Sequence, residues 1–66
     1  MTHKSIFNSF KSRFPDIEEH SEIWFPNGKN SVRIRLKDGR EIVYTCNDKD
    51  DWRLESLDSF IKRITN

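Results

Sequence analysis

The chain has 66 residues, a net charge of +1 and 35% charged residues, which is room for one domain, residues 1–66, and no more. Charge at this density excludes a membrane protein, since no apolar run approaches the roughly 20 residues that a transmembrane helix needs. The single cysteine, Cys46, cannot form an internal disulfide, and Met1 to Phe7 lack the apolar stretch of a secretory signal. A reducing, cytoplasmic setting is expected.

In chain order, residues 3–14 are predicted to form a helix. Ile6, Phe7, Phe10 and Phe14 fall on one stripe at spacings of one, three and four. Thr2 is its expected N-cap, and Pro15 ends it, because the residue before a proline avoids helical geometry. Asp16 to His20 is expected to be a polar connector anchored by Ile17. A short strand follows at residues 22–25, then a turn at Pro26-Asn27-Gly28-Lys29. Residues 31–37 are the clearest strand: Val32, Ile34 and Leu36 alternate with Arg33, Arg35 and Lys37. After a turn at Asp38-Gly39, residues 41–46 give the third strand.

Two registers can be tested against the apolar pattern, since a one-residue slip sends every side chain to the other face. For the second turn, a three-residue loop, Lys37-Asp38-Gly39, with Gly39 left-handed, sets Ile34 opposite Ile42, Val32 opposite Tyr44 and Arg35 opposite Glu41. A two-residue loop would put Glu41 on the core face, so the three-residue loop is predicted. For the first turn, a two-residue Asn27-Gly28 loop buries Ile23 and Phe25 and leaves Trp24 beside Arg33 and Arg35. A three-residue loop swaps these faces. The first arrangement buries two apolar residues instead of one and is favoured.

Asn47 to Asp51 is a polar loop. A final helix is expected from Ser56 to about Thr65, with Leu57, Phe60, Ile61 and Ile64 as its stripe and Leu54 extending it backwards. Its start is open: Asp50 or Asp51 could cap a helix beginning at Trp52, or Ser56 could cap a shorter one. The expected fold is therefore α+β: helix, three-stranded antiparallel β-meander, helix, with both helices on one face of the sheet.

Little in the chain supports catalysis. Cys46 has the parity of Ile42 and Tyr44 and is expected to be a small buried hydrophobe. A nucleophilic role needs a base, but His3 is expected at a frayed end and His20 in an acidic connector, and no metal-ligand spacing exists. Asp48, Asp50 and Asp51 lack the glycine and the glutamate of a calcium loop. No enzyme activity, cofactor or metal is expected. The feature that suggests function is the cationic strand face. Arg33, Arg35 and Lys37 project together near Trp24, with Lys29 and Arg40 at the turns, and Trp52 adds a second aromatic patch. Trp is enriched at binding hot spots. An accessory or regulatory module that binds a protein is the leading expectation. Nucleic-acid binding through the outer sheet face is the alternative.

The helix, three strands, helix order is similar to the double-stranded-RNA-binding domain. That family's lysine-rich segment would fall near Asp50-Asp51-Trp52-Arg53-Leu54-Glu55-Ser56, which is acidic here, so its RNA contacts do not carry over. A three-stranded sheet followed by a helix also resembles the arm-binding domain of phage-type integrases, without a motif. In size and composition the whole chain resembles the small uncharacterised proteins of bacterial conjugative transposons and phages. That resemblance implies a mobile-element origin and transfers no residue.

Overall fold

The computed structural model describes residues 2–65. Helix α1 (His3–Arg13) and a one-turn helix α2 (Pro15–Glu19) precede strands β1 (Ser21–Pro26), β2 (Ser31–Leu36), β3 (Glu41–Cys46) and β4 (Trp52–Ser56), and helix α3 (Leu57–Thr65) follows. The strands form one antiparallel sheet in the order β1-β2-β3-β4. The fold is α+β with a β-meander between helices, but the meander has four strands, not three. Residues 52–56, read from sequence as the approach to the last helix, pair with β3 from Cys46↔Trp52 to Ile42↔Ser56.

Helix α1 begins as predicted: the Thr2 hydroxyl accepts the Ser5 N–H at 3.0 Å. Pro15 ends α1 and also opens α2 at its first position, where a missing N–H costs nothing. The segment expected to be a connector is thus a helical turn, and its Ile17 packs against the core.

The core lies between α1 and one sheet face. Ile6, Phe10, Val32, Ile34, Tyr44 and Cys46 are fully buried there, with Leu36 nearly so. The Phe10 ring sits 5.6 Å from Tyr44, 5.8 Å from Phe7 and 5.9 Å from Phe14.

The helices do not share a face. Leu54 joins the core beneath α1, so Glu55, the next residue of the strand, points to the opposite face. There Arg63 of α3 meets Glu55, with Nη2 to Oε1 at 2.8 Å. Val43 also points to that second face and is fully buried, flanked across the sheet by Arg33 and Glu55. The sheet is therefore a middle layer, with α1 and α2 on one side and α3 on the other. The single-face expectation fails because the β3–β4 half of the second face has its own groups to cover, Val43 and Glu55, and α3 covers them. Leu57 and Ile61 leave the α1 core accordingly, and Ile61 and Ile64 remain well exposed.

The β2–β3 turn is the predicted one. Leu36 N–H donates to the Arg40 carbonyl at 2.8 Å, and Gly39 N–H donates to the Leu36 carbonyl at 2.9 Å. Gly39 has φ +93°. A Cβ there would meet no atom within 4 Å, so the cost of a side chain is conformational alone. Gly39→Ala is expected to destabilise by about 1–2 kcal/mol, the penalty for an L-residue in the left-handed region. A chemical-denaturation midpoint equal to or above that of the parent chain would refute this account of the turn.

The β1–β2 turn is the disfavoured alternative. Asn27 N–H donates to the Ser31 carbonyl at 2.9 Å, leaving Gly28-Lys29-Asn30 as a three-residue loop. The register pairs Trp24 with Ile34 and Phe25 with Arg33. Trp24 thus takes the core side, and Ile23 and Phe25 take the outer one. The side chains of Asn27 and Ser31 bond within the loop, and the His3 ring donates to the Gly28 carbonyl. These local bonds, together with Trp24 stacking on Phe7 at 4.9 Å, outweigh the preference for a two-residue Asn-Gly loop.

Candidate binding cleft

The cationic cluster read from the sequence does not assemble as expected. Arg33 and Arg35 lie on the second face, but Trp24 lies on the first, stacked on Phe7. Phe25 occupies the place foreseen for Trp24. The guanidinium carbons of Arg33 and Arg35 stand 5.4 Å and 5.7 Å from its ring centre, within cation–π range. Glu41 stands opposite Arg35 as predicted, yet its ion pair is diagonal, to Arg33, at 2.8 Å. Lys29 sits in the β1–β2 loop, while Lys37 and Arg40 sit at the other end of β2.

Trp52 belongs to a different arrangement. Arg13 of α1 lies 5.2 Å over its ring, donates from Nε to the Tyr44 hydroxyl at 3.1 Å and pairs with Asp50 at 2.8 Å. Ser9 also meets the Tyr44 hydroxyl, at 2.7 Å. Asp50 holds the Arg13 guanidinium above its ordinary pKa, with a further contribution from Tyr44. Asp50 itself has φ 64° and occupies the position in the β3–β4 loop that Gly39 occupies in the preceding turn, its N–H donating to the Asn47 carbonyl at 3.0 Å. The Asn47 side chain accepts the N–H groups of Lys49 and Asp51. The acidic loop is thus an Asx-type turn whose one left-handed residue reaches across to α1.

Cys46 is fully buried against Ser9 and Asp50. His3 is engaged at the β1–β2 loop and His20 closes α2, so neither stands beside this thiol as a base. Among the described residues no group of three or more His, Cys, Asp or Glu could hold a metal ion. Around Tyr44 the arrangement locks α1 onto the β3–β4 hairpin. Tyr44→Phe should cost about 1–3 kcal/mol, because Ser9 and Arg13 lose a buried partner. An unchanged midpoint in urea would show that the hydroxyl contributes nothing.

The concave site lies at the opposite end of the sheet. Because α2 is one turn long, it leaves Ile42 and Leu54 only half buried. The result is an open cleft of about 640 Å³, within the size range of small-ligand and side-chain pockets. Ile17, Leu36, Ile42 and Leu54 make its floor; Asp16, His20, Lys37, Asp38 and Arg40 make its rim. A smaller hollow of about 380 Å³ adjoins it at Leu36, Arg40 and Ile42 and reaches the start of α3.

The β2–β3 side of the rim is held by backbone and side-chain bonds. Lys37 N–H donates to the His20 carbonyl at 2.9 Å, tying the β2–β3 turn to the end of α2. Asp38 accepts the Arg40 N–H at 3.0 Å and Arg40 Nε at 2.7 Å. The backbone donor first, and then the guanidinium, hold the Asp38 carboxyl below its ordinary pKa. Its contribution to the turn is therefore present above the ordinary carboxylate range and is lost as pH falls through the lowered value. An NMR titration of the Asp38 side chain should give a midpoint below that of an unstructured Asp.

Lys37 and Arg40 were visible in the sequence as basic residues, though for the other face. Ile17, His20, Leu36, Ile42 and Leu54 were not visible as site residues. The available signals were Ile17 alone in an acidic segment and Leu54 alternating with Trp52. No helix among the described residues is long and apolar enough to cross a membrane. No protein-family model, curated protein or solved structure matches the chain.

Proposed function

We propose that this protein is a non-enzymatic binding module that acts in the cytoplasm by holding a segment of another protein in the α2-side cleft. One observation carries the reading: an open cleft with an apolar floor and a charged rim. That combination suits a peptide that inserts an apolar side chain and pairs its flanks with Lys37, Arg40 and Asp16. The free, buried Cys46 is consistent with a reducing compartment. An origin in a bacterial mobile element remains part of this proposal on size and composition alone.

The test is affinity capture from lysate with four baits: the parent chain, His20→Trp, Lys37→Glu, and Arg33→Ala with Arg35→Ala. A protein retained by the parent and the arginine variant but lost by both cleft variants supports the reading. Retention by every bait overturns it.

A second reading, nucleic-acid binding through the uncovered β1–β2 half of the second face, draws on Phe25 held between Arg33 and Arg35. Its test is titration with short DNA and RNA at two salt concentrations. Affinity for duplex DNA should fall with a log–log slope of about −0.9 per phosphate neutralised and vanish with Arg33→Ala and Arg35→Ala. Absence of binding at low salt removes this reading.

A further inference from the structure

The two edges of the sheet differ. Along β1 the N–H and C=O groups that point away from β2 belong to residues 22, 24 and 26. This follows from the bond of Asn27 to Ser31 at the loop and the alternation of an antiparallel ladder. Pro26 has no N–H, and a bulge between Ser21 and Ile23 displaces residue 22. Proline and bulges blunt an edge against further pairing. Strand β4 has neither. Its register with β3 is unbroken from Trp52 to Ser56, and Asn47 N–H bonds to the Asp51 carbonyl at 3.0 Å. By the same alternation, the backbone groups of Trp52 and Leu54 and the N–H of Ser56 point outward, while the Ser56 carbonyl opens the first turn of α3.

We propose that β4 is the docking edge for a second copy of this chain, joined antiparallel about a two-fold axis at Leu54 to make one continuous sheet. The outward groups dictate that even-numbered residues pair with even-numbered ones. With Leu54 opposite Leu54 of the second copy, Trp52 pairs with Ser56, and the intervening close pair sets Arg53 against Glu55. Both of those side chains lie on the second face, so two opposite-charge pairs form by symmetry. Sliding the partner by two residues in either direction brings Arg53 against Arg53 or Glu55 against Glu55, and directly opposed like charges destabilise a sheet. The strand is therefore self-complementary in one register. Arg63 already holds Glu55 at 2.8 Å, so the added pair acts more on register than on affinity. Trp52, 45% exposed, and Leu54 supply apolar surface on the first face. The two-fold leaves α1 of both copies on one side and α3 of both on the other.

The test is sedimentation equilibrium of the parent chain across concentration, with an isotope-filtered NMR experiment on a mixture of labelled and unlabelled chains. A species of twice 8.0 kDa is expected. An intermolecular Hα–Hα contact should join Arg53 to Glu55, whose Cα atoms would stand about 4.5 Å apart as a non-hydrogen-bonded pair. Arg53→Glu should weaken the dimer by about tenfold or more, because it turns both charge pairs repulsive, while Arg53→Lys should leave it nearly unchanged. A synthetic chain N-methylated at Leu54 removes the two central hydrogen bonds without altering a side chain and should also dissociate. The cleft variants His20→Trp and Lys37→Glu should leave the dimer intact, which separates this proposal from the binding function. A chain that stays monomeric at about 1 mM, a free energy of association weaker than about −4 kcal/mol, overturns the proposal. So does a dimer that neither Arg53→Glu nor the N-methyl group disturbs.

Discussion

Val43→Asp is expected to destabilise the protein by about 3–5 kcal/mol, the cost of leaving an uncompensated charge buried. Val43 is fully buried on the second face, where its cross-strand neighbours are Arg33 and Glu55. Neither offers relief: Arg33 is engaged by Glu41 at 2.8 Å, and Glu55 would stand directly opposite the new carboxylate with like charge. The loss should shrink as pH falls, because burial raises the carboxyl pKa and the neutral acid costs less. Had both helices lain on one face, Val43 would look into solvent and the change would stay within about 0.5 kcal/mol. Urea denaturation at two pH values separates the outcomes. A chain of this length has roughly 3–10 kcal/mol of total stability, so the variant should sit at the margin of folding.

That result bears on the part of the fold the residues conceal. The β2–β3 hairpin is legible because Val32, Ile34 and Leu36 alternate with cations, and only one register keeps Glu41 out of the core. Helix α1 is legible because four apolar residues share a stripe between a threonine cap and a proline. Strand β4 is not. Leu54 stands three residues before Leu57, so it fits a helical stripe as well as it fits alternation with Trp52, and the acids at Asp50 and Asp51 suit a helix start. What decides is tertiary: the Asn47 turn returns the chain onto β3, and Ser56 then caps α3 by accepting the Ser59 N–H at 3.1 Å. The side on which α3 packs follows from that strand, so the position of the helix is no more legible than β4 itself.

The candidate site is less legible for a related reason. Its floor joins Ile17, Leu36, Ile42 and Leu54 from four elements, and apart from Ile17, alone in an acidic segment, and Leu54, alternating with Trp52, they read as ordinary core residues in the sequence. The cleft exists because α2 stops after one turn, a matter of length and not of motif. Trp24 and Phe25 show the same limit on a smaller scale. Adjacent aromatics on a strand exchange faces with one residue of loop, and the loop length rests on bonds among His3, Gly28, Asn27 and Ser31 that no local rule contains. Arg33 and Arg35 lie opposite the α1 core, as their alternation with Val32, Ile34 and Leu36 predicts, but the aromatic ring beside them is Phe25, not Trp24.

Phe10→Ala should cost about 3–5 kcal/mol, the range for truncating a buried aromatic. Phe10 is fully buried and is the ring through which α1 meets the sheet. Its centroid lies within 5.9 Å of Phe7, Phe14 and Tyr44, and such ring pairs add roughly 0.5–1.5 kcal/mol each beyond area burial. The cavity left behind would border the Tyr44 hydroxyl network, so Arg13 and Ser9 would lose alignment as well as the helix losing packing. Phe10→Leu keeps most of the volume and forfeits mainly the ring contacts, so it should cost clearly less than the alanine variant. Equilibrium unfolding of the pair, with an exposed α1 substitution such as Ser12→Ala as reference, gives the ordering alanine, leucine, reference. Equal costs for alanine and leucine would mean that the α1 face closes around the gap and that ring contacts, not filled volume, hold the helix to the sheet.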